Sequence, residues 1–278
     1  GDLTVKQAPF NSIDNLILST LSYIDFEQTG LDLSGRSNVT IKEAGEKFSL
    51  LHADEKMNLG RVIPDTIFEL FDVLSRCRRF QYMKLSHYIN QVDEKNEKQF
   101  SAITVDLGDG GFCIAYRGTD DTIVGWKEDF NMCFQSPVPS QMQAVEYLHQ
   151  VALVKRGKIY LGGHSKGGNL AMVAAMEVND RIFSRIKKVY NFDGPGLRKK
   201  EIALLNKYDT FANIFEEYEF YPQIDNAPSN KKLQFKEIIK IFINDYIQMN
   251  QLVEAMPEQE LGRFVAELYD MYIGANYS

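Results

Sequence analysis

Cysteine, histidine and long apolar runs are all scarce in this sequence. The three cysteines, Cys77, Cys113 and Cys133, have no CxxC spacing and no paired histidine, which argues against a disulfide framework and against a zinc site. No apolar run approaches the roughly 18 residues that a membrane-spanning helix needs, and the first residues lack the hydrophobic segment of a signal peptide. These absences predict a cytoplasmic protein that needs no metal or other cofactor.

Positive charge is also in short supply. Lysine and arginine number 31 against 38 aspartates and glutamates, which gives a formal net charge of −7. This acidic balance argues against a nucleic-acid partner, because binding to phosphates requires concentrated positive charge. Three short basic clusters are expected only at a solvated surface or at helix ends: Arg76/Arg78/Arg79, Lys187/Lys188 and Arg198/Lys199/Lys200.

One stretch, residues 158–171, carries a pattern with chemical meaning. It contains Gly163-His-Ser-Lys-Gly167, preceded by the β-prone run Ile159–Leu161 and followed by the helix-prone run Asn169–Met176. Strand, glycine-flanked turn and helix form the setting of a nucleophile elbow, in which Ser165 would be exposed at the tip of the turn. The alternative is a glycine-rich turn that packs a helix on a sheet or binds a phosphate.

Strands on both sides of this stretch predict a sheet. Residues 99–106 and 111–117 flank a glycine-rich turn and are typical of a β-hairpin, and Ile186–Phe192 forms a further apolar run. With a predicted helix over 140–154, the alternation of strands and helices favours right-handed crossovers and an α/β fold with a mostly parallel central sheet. Ligands of such sheets bind at the carboxyl ends of the strands, where Thr119, Ser165 and Asp193 are expected.

The sequence shows no linker, so we expect a single domain over 1–278. Its parts would be a helical N-terminal region over 1–95, a sheet core over 96–196, and a lid-like segment with C-terminal helices over 197–278. A helix over 11–26 is expected to have Ser12 as its N-cap and to bury one face formed by Ile13, Leu16, Ile17, Leu21 and Ile24. A helical face is expected at Phe211, Ile214, Phe215 and Tyr218, and two further helices at 233–249 and 257–273.

A nucleophilic serine needs a base, an acid that orients the base, and N–H donors for the oxyanion. The backbone N–H groups of Lys166 and Thr119 are the expected donors, with the Thr119 hydroxyl as an additional one. Asp193 is the candidate acid; the alternative is an aspartate that only stabilises the turn Asp193-Gly-Pro-Gly196.

The base is missing from its usual place, which is after the serine and the acid in the chain. The histidines are His52, His87, His149 and His164, and none follows Ser165. His164 adjoins the serine and is expected to point away from it, and His149 is expected to be a surface or packing histidine. Three interpretations remain open: an inactive relative, an unusual base such as His52 or His87, or a histidine-bearing segment absent from this sequence.

Several motifs from residue 11 to 197 resemble those of the Mbeg-like family, a bacterial group of α/β-hydrolase-fold proteins distantly similar to fungal-type class 3 lipases. They are Asp14–Ser19 with Leu21-Ser-Tyr23, Gln99–Ala102, Tyr116–Thr122, Gly125–Met132, Gly162–Ala171 and Asp193–Gly196. The resemblance implies Ser165 as nucleophile, Thr119 in the oxyanion loop, and a lipase-like or esterase-like activity. The later section of the family, which carries a His-Asp motif, has no counterpart here.

Trp126, Glu128 and Asp129 also match the family pattern, and we expect them to brace the loop after the second hairpin strand. A metal site built from Asp120, Asp121, Glu128 and Asp129 is the less favoured interpretation. The sequence thus predicts a serine hydrolase that cleaves a small-molecule or lipid-like carboxylic ester. The alternative is a binding or scaffold protein that keeps the hydrolase fold and lacks the triad histidine.

Overall fold

The computed structural model describes residues 3–51, 66–120, 122–134, 136–196 and 211–218. The helices are α1 (Ser12–Leu21), α2 (Ile41–Leu51), α3 (Thr66–Arg76), α4 (Ile123–Phe134), α5 (Pro139–Val154), α6 (Lys166–Glu177), α7 (Asp180–Phe183) and α8 (Phe211–Ile214). The strands are β1 (Val39–Thr40), β2 (Lys84–Asp93), β3 (Lys98–Asp106), β4 (Phe112–Tyr116), β5 (Ile159–His164), β6 (Ile186–Phe192) and β7 (Phe215–Tyr218).

The strands form one seven-stranded sheet whose spatial order is the order of the chain, from β1 to β7. The pairs from β1 to β4 are antiparallel, and the pairs from β4 to β7 are parallel. The α/β class is therefore confirmed, but the sheet is half antiparallel rather than mostly parallel. The carboxyl ends of β4, β5 and β6 share one edge, which is where the sequence predicts the site.

Helices cover both faces of the sheet, and each face has its own apolar core. On one face, residues of α1, α2 and α3 pack with β2, β3 and the end of β6. On the other face, residues of α5, α6 and α7 pack on β4, β5 and β6. Because both faces of β5 are covered, its side chains are mostly buried, and Leu161 is fully so.

The first helix is held against the sheet by buried polar side chains as well as by the apolar Leu18 and Leu21. Asn11, not Ser12, is its N-cap, and the side chain of Asn11 accepts hydrogen bonds from the backbone of Ile13 and Asp14. The exposed fraction of Ile13 is 67 %, which contradicts its predicted burial. The side-chain amide of the buried Asn15 instead donates to the Leu161 carbonyl on β5, 3.5 Å away.

Two other predicted regions differ from the structure. The N-terminal region is not helical throughout, because β2 lies within it and pairs with β3 along nearly its whole length. The predicted helical face over 211–218 is a short helix followed by β7, which pairs with β6. The expected helices over 233–249 and 257–273 lie outside the described residues. Across the ranges that are described, no helix is long and apolar enough to cross a membrane.

Arg79 belongs to a buried ion pair rather than to a solvated cluster. Its guanidinium donates to both carboxylate oxygens of Asp14 and to the carbonyls of Leu3, Ala8 and Pro9. The two side chains are only 9 % and 5 % exposed. The pair therefore joins the N-terminal segment and α1 to the turn after α3.

Replacing Arg79 by lysine should destabilise the protein by about 1–3 kcal/mol, because an ammonium cannot reproduce the forked geometry of a guanidinium. Urea unfolding of the variant measures this loss. Arg78 is exposed and adjacent in the chain, so Arg78→Lys is the matched control and should leave the free energy of unfolding unchanged. Equal stability of the two variants would contradict a structural role for the Arg79 pair.

Candidate active site

Ser165 lies at a sharp bend between β5 and α6. Its backbone has φ 55° and ψ −134°, a conformation that side-chain-bearing residues rarely adopt. The bend is held at both ends, since the Ser165 N–H donates to the Phe192 carbonyl and the Gly168 N–H donates to the Ser165 carbonyl, both at 2.9 Å. The predicted strand, turn and helix are therefore all present, and Ser165 is their turning point.

The bend depends on glycines because the backbone approaches itself closely. A Cβ on Gly163 would overlap the backbone of Gly167, and a Cβ on Gly167 would overlap the carbonyl of Tyr116 on β4. The pattern of two glycines around the serine thus has a steric cause: β5, the start of α6 and the end of β4 leave no room for side chains.

The loop after β4 lies against the bend. A Cβ on Gly118 would be 3.2 Å from the Ser165 Cβ and close to the His164 carbonyl. Thr119 is the next residue along, so the structure brings it and Ser165 to the same edge. The Thr119 hydroxyl donates to the Asp129 carboxylate, which leaves the Thr119 backbone N–H, rather than the hydroxyl, as the predicted oxyanion donor.

Two ion pairs brace this loop. The Arg117 guanidinium donates to Asp120 and to the side-chain oxygen of Asn90, each at 2.9 Å. The second pair joins Lys166 to Glu128, with the Lys166 ammonium 3.1 Å from a Glu128 carboxylate oxygen, and both side chains are buried. The Lys166 ammonium also donates to the backbone and side-chain oxygens of Gln99 at 2.9 and 2.7 Å.

Lys166 therefore has two separate features. Its side chain runs into the protein and crosses to β3 and α4, while its backbone N–H belongs to the first turn of α6, where helical N–H groups have no partner within the helix. Glu128 completes the network by accepting from the backbone N–H groups of Gln99 and Ser140 at 3.0 and 2.7 Å. This agrees with the predicted bracing role of Glu128 and Asp129.

The pKa of Asp129 is shifted because its carboxyl is partly buried beside these groups. Burial raises the pKa of its carboxyl to about 6, against the opposing effects of Lys166 and of the Thr119 hydrogen bond. The folded state thus holds a proton that the unfolded state releases at lower pH. The contribution of this carboxyl therefore makes the free energy of unfolding fall as the pH rises from about 4 to about 6. Above that range the free energy of unfolding stays at the lower level.

The Asp129→Asn variant should lack this pH dependence, because asparagine keeps an oxygen for the Thr119 hydroxyl and carries no charge. Urea unfolding between pH 4 and 7.5 measures it. The stability of the variant relative to the wild type should increase as the pH rises through this interval. A difference that stays constant with pH would show that Asp129 has an ordinary pKa.

Asp193 follows β6 at the same edge as Ser165. Its backbone has φ 58°, and the next residue, Gly194, donates its N–H to the Asn191 side chain at 3.0 Å. The Asp193 carboxylate raises the pKa of the His164 imidazole, whereas burial, the larger effect, lowers it. The predicted acid is therefore an electrostatic neighbour of the histidine that precedes the serine.

The other histidines lie away from the bend or outside the described residues. The imidazole of the buried His87 is hydrogen-bonded to the Ser86 hydroxyl at 3.0 Å. Burial is the largest effect on the pKa of His87 and lowers it. The next largest effects come from Lys155 and Asp106, which lie at the opposite edge of the sheet. His149 is exposed on α5, as predicted, and His52 falls outside the described ranges. His87 is therefore not placed to act as the unusual base.

Tyr23 is the site residue that sequence reasoning missed. It follows α1, and its hydroxyl lies 3.1 Å from Nδ1 of His164. A Cβ on Gly118 would overlap this hydroxyl, so the phenol reaches the same point as Ser165. The motif Leu21-Ser-Tyr23 is the available signal, but it contains nothing that links it to residue 164.

Three of the four carboxylates considered for a metal site, Asp120, Glu128 and Asp129, have protein partners. Where the chain is described, no group of three or more histidine, cysteine, aspartate or glutamate side chains is arranged to hold a metal ion. Glu128 is engaged by Lys166, and Asp121 lies outside the described ranges.

A groove of about 710 Å³ lies apart from these residues. It runs along the outer side of α5, where Met142, Val145 and His149 line it together with residues of the β2–β3 turn and of the end of α6. Neither Ser165, Thr119 nor Asp193 borders it. The groove therefore gives no information about what Ser165 would bind.

Comparison with known proteins identifies the family. The Mbeg1-like family model matches residues 74–219, more than half of the chain. The chain belongs to the Mbeg1-like family. The matched segment includes every strand from β2 to β7 and the bend at Ser165, so the family predicted from the motifs is confirmed.

Other comparisons add little to this Mbeg1-like assignment. The crystal structure of M37 lipase is 14 % identical over 76 % of this chain and 68 % of that chain, with a TM-score of 0.42. A similarity this distant carries no argument about activity. No match was found among curated proteins.

Proposed function

We propose that this Mbeg1-like protein is a serine hydrolase of the α/β-hydrolase fold that cleaves a carboxylic ester, with a small-molecule or lipid-like substrate. Ser165 would attack the acyl carbon, and the backbone N–H groups of Lys166 and Thr119 would bind the oxyanion. Asp193 would stabilise positive charge on the group that takes the serine proton. One domain over 1–278 and a cytoplasmic location remain part of this proposal.

The observation that carries the proposal is the backbone of Ser165. A serine at φ 55° at a strand-to-helix bend costs about 1–3 kcal/mol, and this conformation persists only where the surroundings impose it. Here the surroundings do impose it, through the close approach of Gly163, Gly167 and the end of β4. Such a bend projects the side chain away from the backbone at a helix N-terminus, which favours a developing negative charge.

The test is labelling with a fluorophosphonate, which reacts with activated serines and mimics the ester carbonyl. The full chain should label at one site, and Ser165→Ala should abolish the labelling. Ser101→Ala is the matched control, because Ser101 is buried on neighbouring β3 and should label like the wild type. Hydrolysis of p-nitrophenyl esters of increasing acyl length then defines the substrate class.

The second candidate is a binding or scaffold protein. It is favoured by one observation, namely that no histidine follows Ser165 in the chain. A protein of this kind would bind esters or fatty acids without labelling. Absence of any label on a folded wild-type protein would therefore reject the hydrolase and favour the scaffold.

A further inference from the structure

The unresolved chemical question at this site is the base, and the contacts of Tyr23 bear on it. The rings of His164 and Tyr23 meet edge-on, with their centroids 6.1 Å apart and an angle of 62° between their planes. The two are joined by the 3.1 Å contact between the phenol oxygen and Nδ1. His164 is thus in contact with a tyrosine that lies 141 residues away in the chain.

The phenol oxygen and the serine meet at Gly118. Both the Tyr23 hydroxyl and the Ser165 Cβ lie within 3.2 Å of the point where a Cβ on Gly118 would be. Both groups therefore border the same point beside Gly118. The phenol oxygen thus lies beside the loop that carries Thr119.

The hydrogen-bond capacities of these groups define a direction for proton movement. A phenol has one proton to donate and two lone pairs to accept. The Tyr23 proton is available to Nδ1 of His164, and the lone pairs of the phenol oxygen are available to the Ser165 hydroxyl. Burial raises the pKa of the Tyr23 phenol far above its ordinary value, so the phenol keeps its proton at neutral pH.

We propose that Tyr23 relays the proton of Ser165 to Nδ1 of His164, so that the base lies within the elbow itself. This proposal rests on the proposed hydrolase function. As the serine oxygen bonds to the acyl carbon, the Ser165 O–H bond breaks and its proton passes to the Tyr23 oxygen. The Tyr23 O–H bond breaks at the same time, and that proton bonds to Nδ1.

The charges balance through Asp193. His164 starts neutral, because burial lowers the pKa of its imidazole, and becomes an imidazolium when it receives the proton. The Asp193 carboxylate favours that cation. When the tetrahedral intermediate collapses, the reverse movement returns a proton to the leaving alkoxide, and water removes the acyl group by the same route.

The variants Tyr23→Phe and His164→Asn test the relay in the full-length protein. Each should lower the rate of fluorophosphonate labelling by about 100-fold or more, the usual size of a general-base effect. The double variant should be no slower than the slower single variant, because the two residues act as one unit. Thermal unfolding establishes that each variant is folded.

Tyr88→Phe is the matched control. Tyr88 is also a buried tyrosine with one side-chain acceptor, Asp25, at 3.1 Å, and burial likewise raises the pKa of its phenol. Its removal should leave the labelling rate close to that of the wild type. A loss of packing at a buried tyrosine would slow both variants, whereas loss of a relay slows only Tyr23→Phe.

The pH profile supplies a readout that a structural role would not change. Wild-type labelling should slow as the pH falls through the pKa of His164, and His164→Asn should lose this dependence. Labelling of Tyr23→Phe and His164→Asn at the wild-type rate would overturn the relay while leaving the hydrolase intact. A wild-type protein that does not label at all would overturn both.

Discussion

Replacing Lys166 by methionine should lower the free energy of unfolding by about 3–5 kcal/mol, one of the largest effects expected at any described position. The substitution leaves Glu128 fully buried without its cation, and breaking a buried pair from one side has a cost of this size. The two Gln99 oxygens that accept from the ammonium would also lose their donor. Urea unfolding of the purified variant measures the loss.

Two further variants separate the charge effect from the loss of packing. In Lys166→Met/Glu128→Gln the buried charge is removed as well, so much of the lost stability should return. Lys127→Met removes an exposed pair with Glu97, whose side chains are 47 % and 43 % exposed, and should cost less than about 1 kcal/mol. Equal losses in Lys127→Met and Lys166→Met would disprove the special position of the buried pair.

Replacing Gly167 by alanine should be as damaging to the site as the lysine change is to stability. The new Cβ would overlap the Tyr116 carbonyl, and it would also lie too close to the backbone of Arg117. These are backbone atoms of the sheet and cannot turn aside as a flexible side chain does. The start of α6 must therefore move, at a cost of about 1–3 kcal/mol or more, and Ser165 must move with it.

Labelling and unfolding together measure this effect. Gly167→Ala should lose fluorophosphonate reactivity even under conditions where the variant is folded, because the bend no longer holds Ser165 at its φ of 55°. Gly111→Ala is the control, since the nearest atom to its new Cβ is a carboxylate oxygen of Asp109 at 3.2 Å, at the end of a side chain. A reactive Gly167→Ala protein would mean that the close approach is not needed for the bend.

Much of the core of this fold could be predicted because its signals are local. The hairpin of β3 and β4, the helix α5 and the bend at Ser165 each depend on residues close together in the chain. By contrast, β2 is ambiguous from the sequence. A bulge between Ser86 and Ile89, with His87 at φ 52°, interrupts the alternation of buried and exposed side chains on which recognition of a strand depends.

The remaining errors come from contacts between distant parts of the chain. The apolar spacing predicts Ile13 inside, yet it is exposed, because Asp14 and Asn15 turn inward to meet Arg79 and Leu161. Those partners are 65 and 146 residues away, so no local pattern could reveal them. The spacing of apolar residues over 211–218 favours a helix, and pairing with β6 overrides it at β7.

The same limit applies to the site. The serine and the loop with Thr119 could be placed from motifs, because each follows a strand whose end can be recognised in the sequence. Tyr23 could not, because its distance of 141 residues from His164 is closed only by the packing of α1 on β5. A search of the sequence for a histidine after Ser165 therefore addresses only one way of supplying a base.

The match between strand order and chain order has a consequence for biosynthesis. Each described strand joins the sheet at the edge formed by its predecessor, so none of the described strands must insert between two that are already paired. The antiparallel part needs only short hairpin closures, whereas β5 joins β4 across a long crossover. On the ribosome we expect β2, β3 and β4 to fold first, with Ser165 reaching its final position after β6 emerges and its Phe192 carbonyl accepts the serine N–H.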